Sequence, residues 1–222
     1  GNPLYVVESV RAGLREKGSS FLPQTTETET SETDSLHLPP KVHAVITMRL
    51  SQLSADAREI TGTAAVIGRA FPIEVLVQVC GQSEDALFPV LDELWQKRII
   101  QEQGTGLYDF SHDKIREVAY TDMIAPRRRM LHRRTAETLE IIYAADLGSV
   151  SAQLGAHFEA AGRPGQAIEA YHRAADAARQ VHANDEAIRL FGRAVSVLKT
   201  LPPTSDRSEM EIDLTLTAEL DG

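Results

Sequence analysis

Seven histidines, at positions 37, 43, 112, 132, 157, 172 and 182, and a single cysteine, Cys80, are the side chains best suited to metal or nucleophile chemistry. No two of these histidines stand four apart, the spacing that places a zinc-binding pair on one helix face. One thiol cannot build a thiolate cluster or an internal disulfide framework. There is no glycine-rich phosphate loop, no Walker-type Lys-Ser/Thr and no Ser/His/Asp context. The sequence therefore predicts no catalytic residue, no metal and no cofactor held by these 222 residues themselves. Two stretches could still carry a binding function. Arg127-Arg128-Arg129-Met130-Leu131-His132-Arg133-Arg134 is a basic run on a predicted helix, with Met130, Leu131 and Ala136 pointing roughly one way. Arg127, Arg128, Arg129, Arg133 and Arg134 could contact phosphates of DNA, or could form a solvated face paired with nearby acids. The second stretch is Phe110-Ser111-His112-Asp113, which opens a predicted helix. Asp113 there is favoured by the helix dipole, and backbone N–H groups around His112 can hold an anion to which an imidazole also donates. The plain alternative is that His112 caps the helix or packs beneath the neighbouring strands.

Composition narrows the setting for these residues. Apolar residues make up 42% of the chain and charged residues 25%, while aromatics are only 5%, which is ordinary for a soluble globular chain that leans towards helix. The formal charge of -9 opposes non-specific nucleic-acid binding by the surface as a whole. With no run long enough to span a bilayer and no basic-then-apolar leader, the expected compartment is the cytoplasm. The chain starts at Gly1 and ends abruptly, and it reads as a segment of a longer protein.

The elements that would position the two stretches follow from periodicity and caps. Residues 4–14 carry an apolar helical face, and residues 17–40, rich in Thr and Glu, form a flexible linker with almost nothing to bury. Beyond it, Val42, Val45, Ile46, Arg49, Leu50 and Leu53 trace one helix face. Ser54 is placed to cap a helix that carries Ile60, Ala64, Ala65 and Ile67 and stops at Gly68. IEVLVQVC is a short helix ended by Gly81, and Ser83 caps another holding Leu87, Leu91, Leu94 and Trp95, with Pro89 expected to kink it or delay its start. The period then changes. Ile99–Glu102 and Leu107–Phe110 flank Gly104-Thr105-Gly106, a hairpin signal. Helices, a hairpin and a further helix describe a winged helix-turn-helix over 41–145. From 146 to 222, Leu154, Gly155, Phe158, Gly162, Ala167, Tyr171 and Ala174 fit a tetratricopeptide pattern, and Ala187, Phe191 and Ala194 begin a second, shortened unit in which a helix is shared or lost. Residues 208–220 look like the first helix of another unit. The fold class expected is mainly α: a winged helix with a small β-hairpin, followed by a truncated tetratricopeptide-like array of the kind that binds partners rather than substrates.

Taken in order, GNPL at 1–4, LPPKVHAVITMRLSQLS at 38–54, AAVIGRAF at 64–71, FSHDKIREVAY at 110–120 and RRRMLHRRTAETLE at 127–140, followed by the repeats, resemble the region just after the P-loop core in bacterial STAND-type signalling ATPases. Such proteins are often fused to LuxR-like or SARP-like DNA-binding domains, nucleotide cyclase domains or kinase domains, and the resemblance implies that the parent is a transcriptional regulator. The resemblance implies that residues 1–16 end the helical lid of an ATPase, with Gly1-Asn2-Pro3 as a GxP-like motif whose Pro3 packs on adenine. It implies that Ser111-His112-Asp113 corresponds to the MHD motif, with Ser in place of Met, and that His112 meets the ADP β-phosphate. ATP or ADP with Mg would be bound upstream in the parent chain, the winged helix would clamp it, and the repeats would take an inducer or protein partner, with oligomerisation on activation. The alternatives are a DNA-binding winged helix using the 127–134 basic helix and a pure protein-interaction scaffold.

Overall fold

A computed structural model describes residues 40–104 and 106–203. The expected lid end at 1–16 with Pro3, positions 17–39 of the linker expected over 17–40 and the expected helix at 208–220 lie outside the described residues, and Pro40 opens a helix instead of closing that linker.

The first helix among the described residues, α1 (Pro40–Ser51), is followed by α2 (Ala55–Ile67), a short strand β1 (Ala70–Pro72), α3 (Ile73–Cys80) and α4 (Glu84–Gln96). Strands β2 (Ile100–Glu102) and β3 (Leu107–Phe110) form the hairpin, and α5 (Asp113–Thr121) and α6 (Ala125–Ile142) follow. A 3-10 turn at Leu147–Val150 leads into α7 (Ser151–Ala160), α8 (Pro164–Gln180) and α9 (Asn184–Leu198). The described residues are therefore mainly helical, with one small antiparallel sheet. No helix among the described residues is long and apolar enough to cross a membrane.

Local chemistry sets the boundaries. The Ser54 hydroxyl accepts from Ala57 N–H and the Ser83 hydroxyl from Ala86 N–H, so each fills an orphan donor of the helix it opens. Gly81 ends α3 in the left-handed region at φ 66°, a conformation that strains a residue with a side chain. Pro89 does not delay α4, which starts at Glu84. The N–H it lacks would have served the carbonyl of Asp85, an exposed residue that water can satisfy.

The sheet has an additional strand that sequence patterning does not reveal. Its order is β1-β3-β2, with Ala70 opposite Asp109 and Ile100 opposite Phe110. Phe71, Phe110 and Ile100 share its inner face and are essentially buried. Phe71 stacks on Tyr108 and meets Phe110 edge-on at 6.0 Å, which knits β1 to the hairpin. Leu87, Leu91 and Leu94 of α4 and Ile60, Ala64 and Ile67 of α2 complete this core.

Two expected faces differ from the pattern. Along α1, Ile46 is buried, but Val42 and Val45 are exposed because among the later elements the helix packs chiefly on α5. Arg49, the polar member of that face, donates to the carbonyls of Lys97 and Arg98 and so satisfies the C-terminal end of α4. Trp95 does not join Leu87, Leu91 and Leu94 inside; it is 60% exposed.

The last three described helices pack in series, with α8 between α7 and α9. Leu154, Phe158, Ala167, Tyr171, Ala187, Phe191 and Ala194 are buried. Gly155 sets the α7–α8 approach, since a Cβ there would lie 2.6 Å from the Tyr171 ring. Glu159 accepts from Tyr171 Oη at 2.9 Å and from both forks of Arg193 at 2.9 and 2.7 Å, tying α7, α8 and α9 together. The shortened spacing between Ala167 and Ala187 is thus met by one helix, α8, serving both neighbours.

Candidate functional site

His112 occupies the N-cap position of α5, in extended backbone at φ -148° and ψ 135°. Its side chain makes no capping hydrogen bond, and the residue is exposed. Neither plain alternative applies: the imidazole neither caps the helix nor packs under the strands. The residues beside it are held firmly. Ser111 turns its hydroxyl inward, donating to the carbonyls of Arg98 at 2.6 Å and Ile99 at 3.2 Å. Asp113 pairs with Arg69 at 3.2 Å, and the same guanidinium lies 3.7 Å from the buried Asp109 carboxylate. The site is an exposed imidazole at a helix N-terminus, on a loop fixed by Ser111 from one side and Arg69 from the other. Chemically it can offer one N–H to an anion beside the positive end of the α5 dipole.

The basic run is divided by the packing of α6. Arg127 pairs with Glu59 at 3.1 Å and Arg133 with Glu137 at 3.6 Å. Arg128 donates to the carbonyls of Tyr120 and Thr121, the C-terminal end of α5, and lies over the Tyr120 ring. Arg129 and Arg134 are exposed. The five arginines thus do not present one continuous face. Met130 also departs from expectation: it is 37% exposed, while Leu131 and Ala136 are buried.

The run contains a buried polar residue that composition hides. His132 Nδ1 lies 2.8 Å from His157 Nδ1 on α7, and His132 Nε2 lies 2.9 Å from Tyr120 Oη on α5. The remaining N–H of His157 meets the Ile67 carbonyl at the end of α2. With neutral rings only one arrangement satisfies all three contacts. Ile67 can only accept, so His157 donates to it and accepts at Nδ1. His132 then donates from Nδ1 and accepts from the Tyr120 hydroxyl. Burial, reinforced by Arg116 and Arg128, holds the His132 imidazole well below its ordinary range, and burial beside His132 does the same for His157. Both rings are neutral at physiological pH, so this chain joins α2, α5, α6 and α7 without a charge. The 25-residue separation explains why spacing rules miss it.

Cys80 is half-buried at the end of α3, and burial pushes its thiol up to about 11. It is a poor nucleophile in that state. No group of three or more His, Cys, Asp or Glu residues able to hold a metal ion occurs among the described residues. The chain matches no known family model, no curated protein and no solved structure.

Proposed function

We propose that this chain is a non-catalytic regulatory segment of a signal-transduction ATPase, of the transcription-regulating kind suggested by the resemblance of its motifs. In this proposal residues 41–145, from α1 to α6, are a winged-helix domain, and residues 146–222, of which α7 to α9 are described, are a truncated tetratricopeptide-like array. The helix-strand-helix-helix-hairpin order and the β1-β3-β2 sheet support the first assignment. The Gly155–Tyr171 approach supports the second. The observation that carries the functional proposal is His112: exposed, at a helix N-terminus, with no intramolecular capping role.

His112 donates to a phosphate of ADP bound by an upstream P-loop domain, and Pro3 packs on the adenine. Closure of the winged helix over that domain holds the off state, and a partner or inducer on the helical array biases opening. Two sites linked by a domain movement make the coupling allosteric. The nucleotide and its Mg belong to the upstream domain; this chain supplies the imidazole and the rigid loop that aims it.

DNA binding through the 127–134 helix has less support, because Arg127, Arg128 and Arg133 are engaged within the molecule. A scaffold without nucleotide contact differs from the proposal at His112 alone. The test is the native chain that includes the upstream domain, purified with His112 and as His112→Ala, denatured and assayed for released nucleotide. Loss of ADP from a variant with an unchanged melting temperature supports the clamp. Equal ADP in both, or a native chain with no P-loop ahead of residue 1, overturns it.

A further inference from the structure

The chain has one tryptophan, and it stands outside the core. On the outer face of α4, Phe88 is 49% exposed and Trp95 60% exposed, while Leu87, Leu91 and Leu94 take the buried positions of the same helix. Between them and the hairpin runs a hollow of about 190 Å³ lined by Phe88, Leu91, Asp92, Trp95, Glu102 and Tyr108. Among its described lining residues the ionisable groups are the Tyr108 phenol and the carboxylates of Asp92 and Glu102, while Arg98 lines the adjoining hollow on the other side of Trp95. Gln96 donates to Asp92 at 2.7 Å, which fixes that carboxylate one helical turn before the amide. Glu102 stands directly across from Tyr108 in the β2–β3 register, and burial with the nearby Glu102 charge raises the Tyr108 phenol.

Size and charge decide what fits. Small-molecule sites commonly enclose about 300–1,000 Å³, so this hollow takes a single side chain rather than a whole ligand. Exposed Trp, Tyr and Phe gathered around such a pocket are what the centre of a protein interface uses. Asp92 and Glu102, with Glu84 and Asp85 in the first turn of α4, repel a nucleic-acid backbone and favour cations. The net charge of -9 adds attraction at longer range.

We propose that the α4–hairpin groove docks a lysine- or arginine-rich segment of another polypeptide, which inserts one apolar side chain between Phe88 and Tyr108 and sets its cations against Asp92, Glu102 and the Trp95 ring. This docking does not require the nucleotide clamp and is independent of His112.

Because Trp95 is the sole tryptophan, its emission reports on the groove directly. The probes for the 222-residue chain are an amphipathic peptide of leucine and lysine, the same peptide with glutamate for lysine, and a duplex DNA oligonucleotide. The leucine–lysine peptide is expected to shift Trp95 emission saturably, with affinity falling at least tenfold in Phe88→Ala and in the Asp92→Asn/Glu102→Gln pair. These side chains are at the surface, so far-UV circular dichroism and melting should not change. The same charge removal at Glu169→Gln/Asp185→Asn, exposed on α8 and α9, should leave affinity intact. An equal loss in that control pair overturns the proposal, as does the absence of a saturable shift. Matching responses to the glutamate peptide or to DNA overturn it too.

Discussion

At the scale of single residues, Gly155 and Cys80 make the most definite demands. A methyl group at position 155 would land 2.6 Å from Cδ1 and Cε1 of Tyr171. The ring cannot swing aside cheaply, because its hydroxyl is bound to Glu159, which Arg193 grips through both forks. Gly155→Ala should therefore destabilise the protein despite the better helix propensity of alanine, by about 1–3 kcal/mol as overpacked cores do. A lower urea midpoint checks this, and an unchanged or higher midpoint would refute the close approach. Cys80 gives a prediction of reactivity. Its thiol titrates near 11 rather than at its ordinary value of 9.0 because burial disfavours the thiolate. Ellman's reagent at pH 8 should modify it far more slowly in the folded protein than in urea; equal rates would place the sulfur in solvent.

At the scale of elements, the helices and the hairpin were legible because their signals are local. Ser54, Ser83 and Gly81 act within a turn of where they stand, and the glycines around position 105 mark the hairpin in the same way. Strand β1 was not legible: Ala-Phe-Pro has no pattern of its own and becomes a strand only by pairing with Tyr108 and its neighbours. Position alone put His112 at a helix start, whereas the exposure of its ring depends on tertiary packing. The Tyr120–His132–His157 chain was hidden for the same reason, since it exists only once α5, α6 and α7 meet. That junction has a pH consequence. Both imidazoles are held below the ordinary 6.5, so the unfolded chain binds protons that the folded chain refuses. The contribution is fully present above about pH 6.5 and is lost as pH falls, by up to ~1.4 kcal/mol per unit for each ring. The neighbouring charges, Arg116 and Arg128, stay positive throughout and keep opposing protonation. The melting temperature should hold steady from pH 8 to 7 and drop below 6. In His132→Phe/His157→Leu the drop between pH 6.5 and 4.5 should be shallower than in the wild type. Parallel curves would remove the pair from the acid response and leave it to the carboxylates.

At the scale of the whole molecule, helix α6 belongs to both packed regions. It lies against α2 and α3 on the sheet-bearing side and against α7 on the other. Two further ties converge on one atom at the end of α2, where the Ile67 carbonyl accepts from His157 and, at 3.5 Å, from Gln153. A shared helix leaves neither region a complete core without the other, so the two should unfold together. Two probes report on them separately. Trp95 lies on α4 in the first region, while far-UV circular dichroism draws much of its signal from α6 to α9. In urea at pH 7.5 the two curves should superimpose. Leu139 sits on α6 and is 3% exposed. Leu139→Ala should cost about 2–5 kcal/mol and lower both midpoints by the same amount. A truly separable pair of domains would behave differently, with the mutation moving one probe and sparing the other. Coincident shifts would mean that α7 to α9 and the sheet-bearing region with α4 and the His112 loop unfold as one cooperative body.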